Sequence, residues 1–247
     1  MILETVSSLV RWMERQNRRH SLVPTTPFLP EELFDWSRPF QENWVDIREE
    51  LDNVLAFRGK LPNFQDISPE QRNLTTDDNW KTYFFHGYGF TSAGNLASCP
   101  KTAAALRGIP GLTTAFFSIL GPGKRLPQHR GPYNGVLRYH LALKIPEPAD
   151  ESGITVGGET RHWREGGGMF FDDTYPHSAW NNTDQDRVVL FIDILRPLRF
   201  PYNLLNRLAI AAIAQSPFIK NAKENQRAWE ERFSQLSSGG RAPEGQR

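Results

Sequence analysis

The sequence predicts a mainly β protein with helices at both ends, its centre an antiparallel sandwich or barrel. Three observations carry this. From Trp80 onward the apolar segments are short, rich in β-branched and aromatic residues, and separated by Gly, Pro, Asn and Asp. Helical spacing is read only before and after that region. Strands and helices do not alternate as βαβ units would require.

The elements follow in order. Leu3, Val6, Val10 and Met13 recur at helical spacing, with Arg11, Arg15 and Arg18 on another face. A proline-punctuated connector, "LVPTTPFLPEELFDWSRPF", wraps the surface and includes a short helix near "PEELFDW". A helix returns in "NWVDIREELDNVLAF". The strands are "WKTYFFHGYG", "TTAFFSIL", "VLRYHLALKI", "GITVGG", "GMFFDD" and "RVVLFIDIL". "GGETRHWREGGG" is a hairpin with Gly turns, not a phosphate loop, since no helix follows a strand there. After Pro201 helix is expected in "NLLNRLAIAAIAQ" and "NAKENQRAWEERF", and the tail "SSGGRAPEGQR" is expected to be disordered. These stretches divide one structural domain into residues 1–79, 80–200 and 201–247.

With 247 residues, 38% of them hydrophobic, the chain can bury one sizeable core. A formal charge of +1 leaves no basic excess for a nucleic acid or another polyphosphate. The single cysteine, Cys99, excludes an intramolecular disulfide and a cysteine-rich zinc site. No apolar run reaches the roughly 20 residues of a spanning helix. The basic residues near the N-terminus follow the apolar stretch instead of preceding it, unlike a signal peptide. The expectation is a soluble cytoplasmic protein.

Alternation along a strand puts Arg138, His140 and Ala142 on one side and Leu137, Tyr139, Leu141 and Leu143 on the other. In the last strand Arg187, Val189 and Phe191 oppose Val188, Leu190 and Ile192. Two readings are open for the arginines. They lie exposed on edge strands, or they face a barrel interior and need an anionic partner suited to a planar fork. His129 and His177 stand at strand-to-turn junctions, in "LPQHRGP" and "DDTYPHSAW", where a pair of imidazoles suits iron, zinc or copper. The usual two-histidine, one-carboxylate iron set places its carboxylate two residues after the first histidine. Here that position is Gly131. Asp172 and Asp173 also read as turn residues bonding backbone amides. His86 and His162 read as structural or exposed, and His20 as solvated.

The stretches "FSILGPGKRLPQHRGPYNGVLRYHLAL" and "GETRHWREGGGMFFDDTYPHSAWNNTDQDRVVLFIDILRP" resemble the aspartyl/asparaginyl β-hydroxylases over about Trp80 to Pro197. "RYHL" and "DQDRVVLF" are also similar to the bacterial lipid A acyl-chain hydroxylases. The resemblance implies a double-stranded β-helix, the cupin-like jelly roll, and a dioxygenase using Fe(II), 2-oxoglutarate and O2. It implies iron held by His129 and His177 alone, with glycine in place of the carboxylate, which accounts for Gly131. It implies that Arg187 and Ser118 bind the distal carboxylate of 2-oxoglutarate, and that His140 lines that pocket. Arg138 is implied to bind a carboxylate of substrate or cosubstrate, and Asp173 to stand near the metal, where it orients a water.

The implied reaction hydroxylates an unactivated C–H, with succinate and CO2 as coproducts. The preferred substrate is the β-carbon of an Asp- or Asn-type residue, or a free or carrier-bound amino acid. A lipid A-type acyl chain is the alternative. A silent cupin-like module that binds a carboxylate without oxidising anything is a third reading; the full set His129, His177, Arg187 and Ser118 favours the enzyme. The expected partner is thus a small molecule or peptide bearing a carboxylate or amide. For the C-terminal helical segment, packing on the core is favoured over lying on a membrane.

Overall fold

Strand alternation dictates the architecture. A computed structural model describes residues 2–238, and side-chain surroundings for residues 8–233. The tail expected to be disordered lies outside the described residues from position 239 on.

Two antiparallel sheets face each other as the flattened barrel of a double-stranded β-helix. The larger contains β1 (Phe28–Leu29), β2 (Trp80–Gly87), β3 (Phe90–Thr91), β4 (Leu112–Leu120), β6 (Val136–Lys144), β9 (Gly168–Phe171) and β11 (Arg187–Leu195), in the order β1-β9-β6-β11-β4-β2-β3. The smaller contains β5 (Arg125–His129), β7 (Ser152–Val156), β8 (Glu159–Arg161) and β10 (His177–Asn181), in the order β5-β10-β7-β8. β6 and β11 lie inside the large sheet, paired with each other and flanked by β9 and β4. The edge-strand reading of Arg138 and Arg187 is therefore overturned. Both belong to interior strands and face the second sheet.

Central strands covered on both sides need apolar character on both faces, and β6 and β11 have it. Their outer face (Leu137, Tyr139, Leu141, Val188, Leu190, Ile192) joins the main core with Leu51, Leu106 and Trp229. Their inner face contributes Ala142 and Val189, packed with Ile154, Val156 and Ala179 of the small sheet. The helices covering the outside are α2 (Arg38–Glu42), α3 (Trp44–Leu55), α4 (Phe64–Ile67), α5 (Ala93–Ser98), α6 (Pro100–Arg107) and α8 (Pro217–Ser238). α1 (Ile2–Arg19) and α7 (Tyr202–Ala214) pack on each other at one side. α3 and α6 are locked together by the buried Glu50 carboxylate. It accepts from the Lys101 and Thr102 amides at 2.7 and 2.8 Å, at the electropositive start of α6.

Several local readings needed correction. The short helix expected near "PEELFDW" is present as two 3-10 turns, Glu31–Leu33 and Asp35–Ser37. The α5–α6 pair interrupts the β region at "SAGNLASCPKTAAALR", a stretch too short in apolar repeats to announce itself. β5 and β10 are not among the expected strands, because "RLPQH" contains proline and "HSAWN" lacks β-branched residues, but His129 and His177 stand at strand-to-turn junctions as expected. The Gly hairpin is as expected: Gly157 and Gly158, both at positive φ (57° and 89°), turn β7 into β8.

Asp172 does more than bond a turn amide. Its Oδ1 accepts from the Thr174 amide at 3.0 Å, and its Oδ2 pairs with the Arg196 guanidinium, which is fully buried. Asp172→Ala would strand that cation in the interior. We expect a loss of about 3–5 kcal/mol in urea unfolding.

Candidate active site

His129 ends β5 and His177 begins β10, and the two residues face each other in the antiparallel register. A register shift after His177 sets this pairing. The two rings lie 4.1 Å apart between centroids, at 53°. Each anchors its Nδ1 on the carbonyl two residues back, His129 on Pro127 O at 2.8 Å and His177 on Tyr175 O at 2.9 Å. That fixes the tautomer with Nδ1–H donating and leaves each Nε2 lone pair open, as metal-ligating histidines require. Burial lowers the pKa of both, that of His177 to about 3, aided by His129 and Arg138. Both rings are thus neutral at physiological pH. Among the described residues no third His, Cys, Asp or Glu completes a metal cluster with them.

Gly131 shows why no third side chain is there. A Cβ at this position would overlap the Asp173 carboxylate, which occupies the space instead, and the Gly131 amide donates to Asp173 O at 2.7 Å. Gly131→Ala is expected to push that carboxylate off its arginine and cost about 1–3 kcal/mol, read as a lowered Tm.

Asp173 belongs to a buried charge group. Its Oδ2 lies 2.9 Å from Arg138 Nη2, while its Oδ1 is buried with no partner. Burial raises the Asp173 pKa, with Arg138 opposing. Arg138 is directly opposite Asp193 across β6 and β11 and grips it with Nε at 2.8 Å and Nη2 at 3.0 Å. Its guanidinium also stacks 4.1 Å over the Phe191 ring. Its fork is therefore engaged by two aspartates of the chain itself, a different arrangement from a clamp open to an incoming carboxylate. Tyr88 stands in the same field. Its pKa is raised by burial and by Asp193 and Asp173.

Arg187 presents the opposite case. It is 2% exposed, its Nε and Nη1 have no hydrogen-bond partner, and its guanidinium sits 4.4 Å over the Trp163 ring. Burial alone lowers its pKa to about 9. A buried guanidinium without an acceptor is costly, and a bidentate anion would relieve it. Its surroundings are equally short of partners. Both His140 nitrogens and Trp163 Nε1 are buried and unbonded, with the His140 ring stacked 5.9 Å from Trp163. His140 is held neutral by burial and by Arg187. Ser118 Oγ accepts from Trp80 Nε1 at 3.0 Å, which leaves the Ser118 hydroxyl proton to donate elsewhere. These donors fit one carboxylate of a dianionic keto acid, and the paired imidazoles fit a divalent metal such as iron.

Trp163, Asp193 and Tyr88 were missed by sequence reasoning. Asp193 carried a signal, as an acid on the same strand face as Arg187, Val189 and Phe191. Trp163 lies in irregular chain before the Glu165–Gly166 turn, where periodicity says nothing, and Tyr88 lies in the turn just past the end of β2, within the segment read as strand. Of the other histidines, His162 bonds Ser152 O at 2.8 Å, His86 meets Thr91 Oγ1 at 3.2 Å, and His20 stacks on Tyr202 instead of being simply solvated.

Comparison with known proteins gives the family. Residues 41–197 match the aspartyl/asparaginyl beta-hydroxylase family. The chain is 45% identical over 226 residues to an ornithine lipid ester-linked acyl 2-hydroxylase from Rhizobium tropici, covering 92% of this chain and 80% of that one. It is 31% identical over 189 residues to the human aspartate beta-hydroxylase domain-containing protein 2, covering 71% of this chain but 48% of the relative. To the human aspartyl/asparaginyl beta-hydroxylase it is 30% identical over 165 residues, covering 65% of this chain and 21% of that protein. Among solved structures, the cupin domain of Schizosaccharomyces pombe Cnp3 aligns at TM-score 0.35 and 13% identity, covering 57% of this chain and 77% of that one. On the extent of the sequence match, the chain belongs to the aspartyl/asparaginyl β-hydroxylase family.

Proposed function

We propose that the chain is an Fe(II)- and 2-oxoglutarate-dependent hydroxylase acting on the acyl chain of an amino-acid-containing lipid, at the carbon next to the ester carbonyl. The observation that carries the cofactor reading is Arg187, a buried cation with no partner on the same barrel interior as two imidazoles with open Nε2 atoms. Support for the lipid comes from the 45% identity to an acyl 2-hydroxylase over nearly the whole chain. A further support is Arg138, whose fork is already filled by Asp193 and Asp173 and so offers little to an Asp side chain.

His129 and His177 would hold the metal through Nε2. Arg187 and the Ser118 hydroxyl would bind the distal carboxylate of 2-oxoglutarate, giving that cation the acceptor it lacks. Trp163, Trp80 and Phe171 would exclude water from this end of the barrel, which strengthens the ion pair. The unbonded Asp173 Oδ1 is an acceptor for a proton of a bound water, and Arg138 keeps that carboxylate in place. When bound, iron and 2-oxoglutarate supply the C–H oxidation, one atom of O2 entering the product hydroxyl and the other entering succinate as CO2 leaves.

The test is mass spectrometry of candidate lipids and of Asp/Asn peptides, with succinate release measured alongside. The expected result is one added oxygen atom on the ester-linked acyl chain, matched by succinate. Oxygen found only on Asp or Asn would overturn the lipid reading, and no succinate with any substrate would overturn the cosubstrate reading.

A further inference from the structure

We infer that α1 and α7 together form a docking face for an anionic bilayer surface. This rests on the lipid reading above and adds to it the way the protein reaches its substrate.

α7 is built from "YNLLNRLAIAAIA", with no acidic residue and one cation, Arg207, yet Asn206 is its only fully buried member. Helical rotation of 100° per residue puts Leu204 and Leu208 opposite Asn206, facing away from the protein. They are 50% and 60% exposed, and Phe200 just before the helix is 80% exposed. On α1, Leu9 and Trp12 are exposed as well. Eight of the twelve large exposed apolar side chains among the described residues belong to α1 or to the stretch from Phe200 to Phe218, so the apolar surface is concentrated in one region.

The two helices are held as one surface. Asn17 of α1 donates to Tyr133 OH at 3.0 Å, and Tyr133 donates to Asn206 of α7 at 2.9 Å. His20 and Tyr202 stack at 3.8 Å where the helices meet.

Charge selects the occupant. Arg11, Arg15, Arg18 and Arg19 are exposed along α1, and Arg199 and Arg207 are exposed beside the apolar face. The Glu14 carboxylate of α1 is taken by Arg130 at 3.1 Å. An apolar stripe with Trp and Leu, bordered by arginines, is the pattern of a helix lying in a bilayer interface. A second copy of the chain would bring like charge against like charge. No helix of the described residues is long and apolar enough to cross a membrane, so the contact lies in the membrane plane.

The same helix leads inward. A groove of about 420 Å³ runs between α7, at Arg207, Ile210 and Ala214, and the β2–β3 turn at Tyr88. Thr113, which lines the same groove, donates to Asp193 O at 3.0 Å, and Asp193 is held by Arg138 of the site, so a lipid chain drawn in beside α7 would approach the reacting end of the barrel.

The test is flotation of the full chain with vesicles that contain no substrate lipid, of phosphatidylcholine alone or mixed with phosphatidylglycerol. The expected result is binding to the mixed vesicles. We expect Leu204→Asp with Leu208→Asp to reduce it by about tenfold or more, and Arg11→Glu with Arg15→Glu to remove the preference for anionic lipid. Both double variants change exposed side chains and should keep the parental Tm and succinate formation on detergent-dispersed substrate. Equal flotation of the Leu204/Leu208 variant would overturn the proposal. So would a dimer in size-exclusion chromatography that this variant dissolves, without any vesicle binding. Since these vesicles carry no substrate, flotation together with oxidation of Asp/Asn peptides alone would sink the lipid-substrate reading and leave the docking face standing.

Discussion

Arg187→Met is expected to weaken 2-oxoglutarate binding while making the ligand-free protein more stable. Truncating one partner of a buried charge pair costs about 2–5 kcal/mol, so Kd should rise by about 30-fold to several thousand-fold. Without the cosubstrate, however, the guanidinium is buried with two nitrogens unbonded. Replacing it by an apolar side chain of similar volume removes that penalty, about 1–4 kcal/mol by comparison with exchanged buried ion pairs. In a chain of this size each kcal/mol moves Tm by about 2–4 °C. Calorimetric titration and thermal unfolding of the same variant read both effects. An unchanged Kd, or a lower Tm without ligand, would contradict the pocket assignment, because the two signs together arise only from a cation waiting for an acceptor.

His177→Ala and His129→Ala should each abolish succinate formation. Residues that merely orient metal ligands typically change affinity by 10–100-fold, so removing a ligand should weaken iron binding by more than about 100-fold. The fold should survive. Each ring's hydrogen bond is a local one, to the carbonyl two residues back, and the His177 ring meets the core only through an edge contact with Phe171, at 6.2 Å between centroids. Iron content after dialysis, circular dichroism and turnover check this. Wild-type turnover by either variant would remove the metal site from the account.

Much of the site was legible because strand alternation is a local property. "VLRYHLAL" and "RVVLFIDIL" alone put Arg138 and His140, and Arg187 and Phe191, on shared faces, and the structure keeps those faces. Whether the faces point to water or to a second sheet is a long-range matter. It depends on β9 and β4 arriving from distant sequence to flank β6 and β11. The same limit hid the Arg138–Asp193 pair, since it exists only once the β6–β11 register is set. His129 and His177 could be named from the family resemblance but not from periodicity. Their strands are short, one with a proline, and the pairing depends on a register shift that leaves no trace in composition. Gly131 is the instructive case. Its missing side chain looked like a defect in a metal site, and it is the space that the Asp173 carboxylate needs.

The most direct measurement of the central claim is an anaerobic crystal structure with Fe(II) and 2-oxoglutarate, with anomalous scattering recorded at the iron edge. The account predicts one iron peak bonded by Nε2 of His129 and of His177, and a keto diacid whose far carboxylate rests on Arg187 and Ser118. An iron peak elsewhere, or a keto acid bound with Arg187 still unpartnered, would contradict it.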